Sequence, residues 1–191
     1  MEDFYSEFVR SSYKNYIAQQ HPNTWEIFEY FLQEENFDLI IEIGTGLGGL
    51  TEFIHDLGHK IISYDIGNSC GTHDRLFEKG LDIRHKNLFI SDYTILDNEL
   101  IDLLKNGKIL VLCDGLEKAK EINLISKYIK SGDIIMAHDY CVDVETFETL
   151  YKGKEWRFLE LVESDINAIG LTPYKQDTFK EIFWVCKIKN K

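Results

Sequence analysis

The sequence is poor in proline, with only Pro22 and Pro173 in 191 residues. No Ser- or Gly-rich tract lies between them, so nothing marks a linker, and 1–191 reads as a single domain. Basic residues are also few, 21 against 33 acidic ones, for a formal charge of -12. That balance repels a polyanionic backbone and no Lys/Arg cluster offsets it, which excludes nucleic acid as an expected partner. No apolar run approaches the roughly 20 residues a bilayer span needs. The opening MEDFYSEFVR has neither an apolar segment nor a cleavage signature, so a cytoplasmic protein without a membrane partner is expected. The four cysteines, Cys70, Cys113, Cys141 and Cys186, form no CxxC pair, and free thiols are expected of them.

Hydrophobic side chains make up 44% of the chain, enough for a sizeable core. Residues 1–20 mix aromatic and polar side chains, and 23–33 place Trp25, Phe28, Tyr30, Phe31 and Leu32 at helical spacing. Two helices are predicted there, forming an N-terminal helical cap over 1–36. From residue 38 to 191, short apolar runs alternate with amphipathic stretches, the pattern of βαβ units. Strands are predicted at 39–43, 60–64, 81–85, 109–113 and 133–137. Helices are predicted at 48–57, 72–78, 97–104, 117–129 and 144–151. Two further strands, 156–161 and 181–188, are predicted to pair as a terminal antiparallel hairpin. The expected fold is α/β and Rossmann-like: a seven-stranded, mostly parallel sheet with helices on both faces.

The segment Ile41-Glu42-Ile43-Gly44-Thr45-Gly46-Leu47-Gly48 leaves a strand and opens a helix. Without β-carbons at Gly44, Gly46 and Gly48, the backbone turns sharply and approaches a ligand, and the free N–H groups of the helix start face it. Dinucleotide enzymes and some purely structural turns share this feature. A carboxylate at Glu42 disfavours a pyrophosphate and suits a cationic ligand. About twenty residues on, Asp65 ends the next strand, where an acid accepts hydrogen bonds from ribose hydroxyls.

The pattern Glu-x-Gly-x-Gly-x-Gly resembles the first motif of class I S-adenosylmethionine-dependent methyltransferases. The resemblance implies S-adenosylmethionine as cofactor, held by Glu42, Gly44, Thr45, Gly46, Gly48 and Asp65, with Asn87 and Leu88 at the adenine and Asp114 bordering the same ligand. The fourth and fifth strands end in Asp114-Gly115 and Ala137-His138-Asp139-Tyr140. Both are similar to O-methyltransferases of the catechol and cephalosporin-biosynthesis types, where such residues hold a divalent cation. This implies Asp114, His138 and Asp139 as ligands of magnesium or, given the imidazole, of a transition metal. A second reading makes His138 or Asp139 a general base without metal. A third makes Asp114 a helix cap and His138 a satisfied buried side chain.

The expected function is methyl transfer from S-adenosylmethionine to a small-molecule acceptor, first at a hydroxyl oxygen. The rivals are a nicotinamide-dependent oxidoreductase and a binding or interaction protein that has lost catalysis. Self-association is left open.

Overall fold

The computed structural model describes residues 11–14, 16–68 and 71–191. It begins with a hairpin, β1 (Ser11–Tyr13) and β2 (Tyr16–Ala18), paired antiparallel with Ser11 opposite Ala18. This corrects the helix predicted over 1–20; residues 1–10 lie outside the described ones. Lys14, at φ +46, takes the left-handed turn that reverses the chain, a conformation a helix cannot contain. Helix α1 (Thr24–Glu34) forms as predicted and buries Phe28, Phe31 and Leu32.

The core strands form where apolar residues predominate, except at the sheet edge, where Asp82–His85 is polar and partly exposed. They are β3 (Leu39–Ile43), β4 (Ile61–Asp65), β5 (Asp82–His85), β8 (Ile109–Cys113) and β9 (Ile134–Ala137), all parallel. Every residue of β3, β8 and β9 is buried, as strands covered on both faces must be. Between them come α2 (Gly49–Asp56), α3 (Thr72–Glu78), a small hairpin of β6 (Phe89–Ile90) and β7 (Ile95–Leu96), α4 (Asn98–Leu103) and α5 (Lys118–Ile125). Beyond β9 lie the short β10 (Tyr140–Cys141), α6 (Val144–Thr146) continued by a π-helical turn over Phe147–Tyr151, and β11 (Leu161–Val162). The last elements are β12 (Leu171–Pro173), α7 (Gln176–Phe179) and β13 (Val185–Lys189). The seven-stranded sheet runs β12-β13-β9-β8-β3-β4-β5, and β13 is antiparallel to both its neighbours.

Pleating sorts side chains to the two faces. Ile109, Val111 and Cys113 face a layer with Leu100, Leu104, Ile122 and Ile125. Leu110 and Leu112 face the other layer, with Phe28, Phe31, Phe53 and Ile54. Phe28 and Phe31 are therefore core, and Trp25 packs on Tyr13 and Phe53.

The strand predicted at 156–161 does not form. Trp156 makes an isolated parallel bridge with Lys152, and Leu161 and Val162 pair in parallel with Tyr140 and Cys141. The outer hairpin partner is β12, a three-residue edge ending in Pro173, which edge strands tolerate. Cys113, Cys141 and Cys186 carry free, buried thiols, and Cys70 is outside the described residues. Among the described residues no helix is long and apolar enough to cross a membrane.

Candidate functional site

The carboxyl ends of β3, β4, β8 and β9 converge on two adjoining cavities of about 420 and 290 Å³. Gly44, Gly46, Asp114, Gly115 and Leu116 border both. Parallel sheets bind ligands at this edge.

Gly44 leaves β3 at φ +91, and its N–H donates to the Tyr64 carbonyl at 2.8 Å. A β-carbon there would stand 2.1 Å from the Asp114 carbonyl oxygen, so only glycine fits. Gly46, at φ +52, presents the opposite case: its β-carbon position meets nothing within 4 Å. The turn is open on the side a ligand would take. Gly48, at φ +76, caps α2.

Glu42 shares its strand face with Ile40, which turns its carboxyl under α2. There Thr51 and Ser63 donate to its Oε2, each at 2.5 Å. Burial pushes its pKa up to about 8 against those two hydrogen bonds, and Asp114 and Asp65 repel its charged form further. Glu42 also lines the smaller cavity. Thr45 shares its hydroxyl with Ser63 at 2.7 Å, so that side chain braces the turn from behind.

Asp65 accepts the N–H of Gly46 at 2.9 Å and of Gly67 at 2.8 Å, tying β4 to the glycine turn. It lines the larger cavity with Asn87, Leu88, Phe89 and Tyr93. The Asn87 side-chain carbonyl accepts the Phe89 N–H, which folds the loop over buried Leu88. Phe89 and Tyr93 stack at 4.6 Å. This cavity has the lining a nucleoside needs: a carboxylate for the sugar and flat apolar surfaces for the base.

Asp114, His138 and Asp139 do come together, their ligating atoms within 4.8 Å of one another. His138 is 2% exposed. It stacks on Trp184 at 4.8 Å, and its Nδ1 lies 3.3 Å from Asp114 Oδ1 and 3.8 Å from Asp139 Oδ1. Its Nε2 is buried and has no hydrogen-bond partner among the described residues. Burial works against the imidazolium, but the fields of Asp139 and Asp114 outweigh it and raise the pKa above the ordinary histidine value. Asp139 sits at φ +55. Burial disfavours its charge, while His138, Lys118 and the Trp156 N–H at 2.8 Å outweigh that and hold its pKa below the usual carboxylate range.

Four participants are absent from the sequence-based expectation. Gln20 donates to Asp114 Oδ2 at 3.1 Å and accepts the Trp184 indole N–H at 3.0 Å. Trp156 holds Asp139. The Lys118 ammonium lies 3.1 Å from Asp139, 3.5 Å from Asp114 and 2.5 Å from Glu160, and donates to the Gly115 carbonyl at 3.2 Å. Burial works against its charge, but those three carboxylates outweigh the penalty and raise its pKa. Glu117, adjacent in sequence, is exposed on the helix face. The i, i+4 spacing of Asp114 and Lys118 was the one available signal, and it reads equally as a surface pair.

A divalent cation does not fit this donor set. Both oxygens of Asp114 and both of Asp139 already face protein donors, and Nδ1 of His138 faces carboxylates, where it serves as a donor. An ammonium beside the site opposes the ion directly: unit charges 4 Å apart interact at about 4 kcal/mol for an effective dielectric near 20, and a double charge doubles it.

No protein-family model matches the chain, and no curated protein matches it. Solved structures do. It superposes on human N-acetylserotonin methyltransferase in complex with S-adenosylmethionine with a TM-score of 0.54 and 16% identity over 87% of this chain and 52% of that one. The apo structure of CmcI-N160 gives 0.54 at 13% identity, over 73% of this chain and 60% of that one. The chain has the methyltransferase fold. A third match, an S-adenosylmethionine-dependent methyltransferase from Clostridium acetobutylicum, gives 0.51 at 11% identity, covering 87% of this chain and 92% of that one. The chain spans between half and two thirds of the length of the first two, so what it shares with them is the methyltransferase fold.

Proposed function

We propose that the protein is an S-adenosylmethionine-dependent methyltransferase that acts on a hydroxyl of a small-molecule acceptor. The observation that carries this reading is that Asp114 borders both cavities and pairs with a buried histidine whose second nitrogen has no hydrogen-bond partner among the described residues. The open turn at Gly46, the flanking carboxylates and the stacked Phe89–Tyr93 pair fit a cationic nucleoside. They suit an anionic diphosphate poorly, because the Asp65 and Asp114 carboxylates flank the turn.

When bound, S-adenosylmethionine supplies an electrophilic methyl group on a positive sulfonium. Glu42 and Asp114 place negative charge beside that cation, and Asp65 is positioned for the ribose hydroxyls. His138, at the wall of the smaller cavity, acts as the general base in its neutral form, whose share grows as pH rises through the raised pKa: Nδ1–H donates to Asp114, which fixes the tautomer and leaves the Nε2 lone pair to take the acceptor's proton. Asp139, held by Trp156 and Lys118, stabilises the imidazolium that results. No step requires a metal ion.

Calorimetry with S-adenosylmethionine and with NAD tests the cofactor assignment; binding of NAD alone would overturn it. Release of labelled methyl groups over a panel of phenols, catechols and aliphatic alcohols tests the reaction. His138→Asn is expected to lower kcat by about 10²- to 10⁴-fold, the usual worth of a positioned base, while S-adenosylmethionine affinity stays within a factor of about two. An unchanged kcat would remove His138 from the chemistry.

A further inference from the structure

Lys118 is the first residue of α5, with Glu117 at the cap. A cation at a helix N-terminus opposes the helix dipole, and a lysine is among the least often buried residues. Its side chain is nevertheless only 4% exposed, with its ammonium among Asp114, Asp139 and Glu160 and on the Gly115 carbonyl. Three carboxylates brought this close repel one another unless a cation sits between them. Two of the three, Asp114 and Asp139, come from the strand ends where the sequence resemblance places metal ligands; the third, Glu160, follows from the loop that also supplies Trp156. Local rules of helix design are broken here, and the compensation lies wholly in the cavity wall.

We propose that Lys118 is a resident cation standing in for the divalent metal ion, so that this site works without metal. Its ammonium holds the Asp114, Asp139 and Glu160 carboxylates in place and blocks ion entry. Neutralising that side chain should turn the same three carboxylates into a divalent-cation site. Lys118 is thus a positioning residue. The inference rests on the ion pairs alone and does not depend on which reaction the cavity supports.

The test uses Mn²⁺ as the probe, with free Mn²⁺ followed by electron paramagnetic resonance, on the full-length wild type, Lys118→Met and Lys118→Arg. Wild type and the arginine variant are expected to take up no stoichiometric Mn²⁺ below about 1 mM, the weak end of protein oxygen-ligand sites. Lys118→Met is expected to bind one Mn²⁺ at least about tenfold more tightly, and its lowered Tm should rise with Mn²⁺ by mass action. Two results overturn the proposal: stoichiometric Mn²⁺ binding by wild type that Asp114→Asn abolishes, or a folded Lys118→Met that gains no affinity. If Lys118→Met does not fold, the wild-type titration decides alone, since uptake there refutes a resident lysine cation and its absence supports one. Metal uptake and S-adenosylmethionine binding are separate readouts, so failure of one leaves the other reading intact.

Discussion

Glu42 carries a proton at neutral pH while its cavity holds no cation, because burial has moved its pKa to about 8. A sulfonium nucleoside would pull that value down, so binding near pH 7 is expected to release close to one proton. Calorimetry in two buffers of different ionisation enthalpy measures this directly, and an anionic dinucleotide would give no release. The sign for stability follows from the same shift. Between the ordinary value of 4.5 and about 8, the folded form binds more protons than the unfolded one. Stability of the ligand-free protein should therefore fall as pH rises through that window, with a slope from this group of at most about 1.4 kcal/mol per pH unit. Glu42→Gln should flatten the fall, as read from urea midpoints across the window. A second residue-level expectation concerns Gly44, whose β-carbon would collide with the Asp114 backbone at 2.1 Å and whose φ is +91. Gly44→Ala is expected to cost about 2–4 kcal/mol in chemical denaturation, combining backbone strain with overpacking.

At the level of elements, the hairpin β1–β2 rests on α2 through Tyr13, which packs on Phe53 and donates to Asp56, through the Lys14–Asp56 ion pair, and through the close approach of Ala18 to Gly49. A β-carbon on Gly49 would come within 2.7 Å of the Ala18 β-carbon. Alanine at this first helical turn would otherwise favour the helix by up to about 1 kcal/mol, so Gly49→Ala separates two effects. Trypsin cleavage near Lys14 should accelerate several-fold as the hairpin lifts, while the sheet's thermal midpoint changes little. An unchanged digestion rate would show that the contact does not hold the hairpin. The elements most legible in the sequence were those whose burial is complete: β3, β8 and β9 are apolar at nearly every position, and their bounds came out within a residue. Segment 156–161 was misread because Trp156 is apolar for another reason, covering His138 and holding Asp139. β12 went unseen because three partly exposed residues leave no periodic trace. In the site, the glycine turn and the Asp114, His138 and Asp139 group were legible because each ends a strand. Lys118 and Gln20 were not, since a charged or polar residue on a helix or loop looks solvated until the fold buries it, and Glu160 stays exposed and joins the site only through its ion pair with Lys118.

For the molecule as a whole, the formal charge of -12 sets what it will meet in solution. Fluorescence polarisation with single- and double-stranded oligonucleotides is expected to show no binding even at about 50 mM salt, where counterion release favours any nucleic-acid binder most. Measurable affinity there would mean that a local basic surface outweighs the total. The sheet's connectivity also bears on how the chain is made. Its last strand in sequence, β13, lies between β9 and β12. A nascent polypeptide that has emerged only through residue 184 thus has an open margin along β9, and β12 has no strand to join. Closure of the sheet waits on Val185–Lys189, and until that strand has left the ribosome the bare margin is a place for a chaperone or a stray strand to attach.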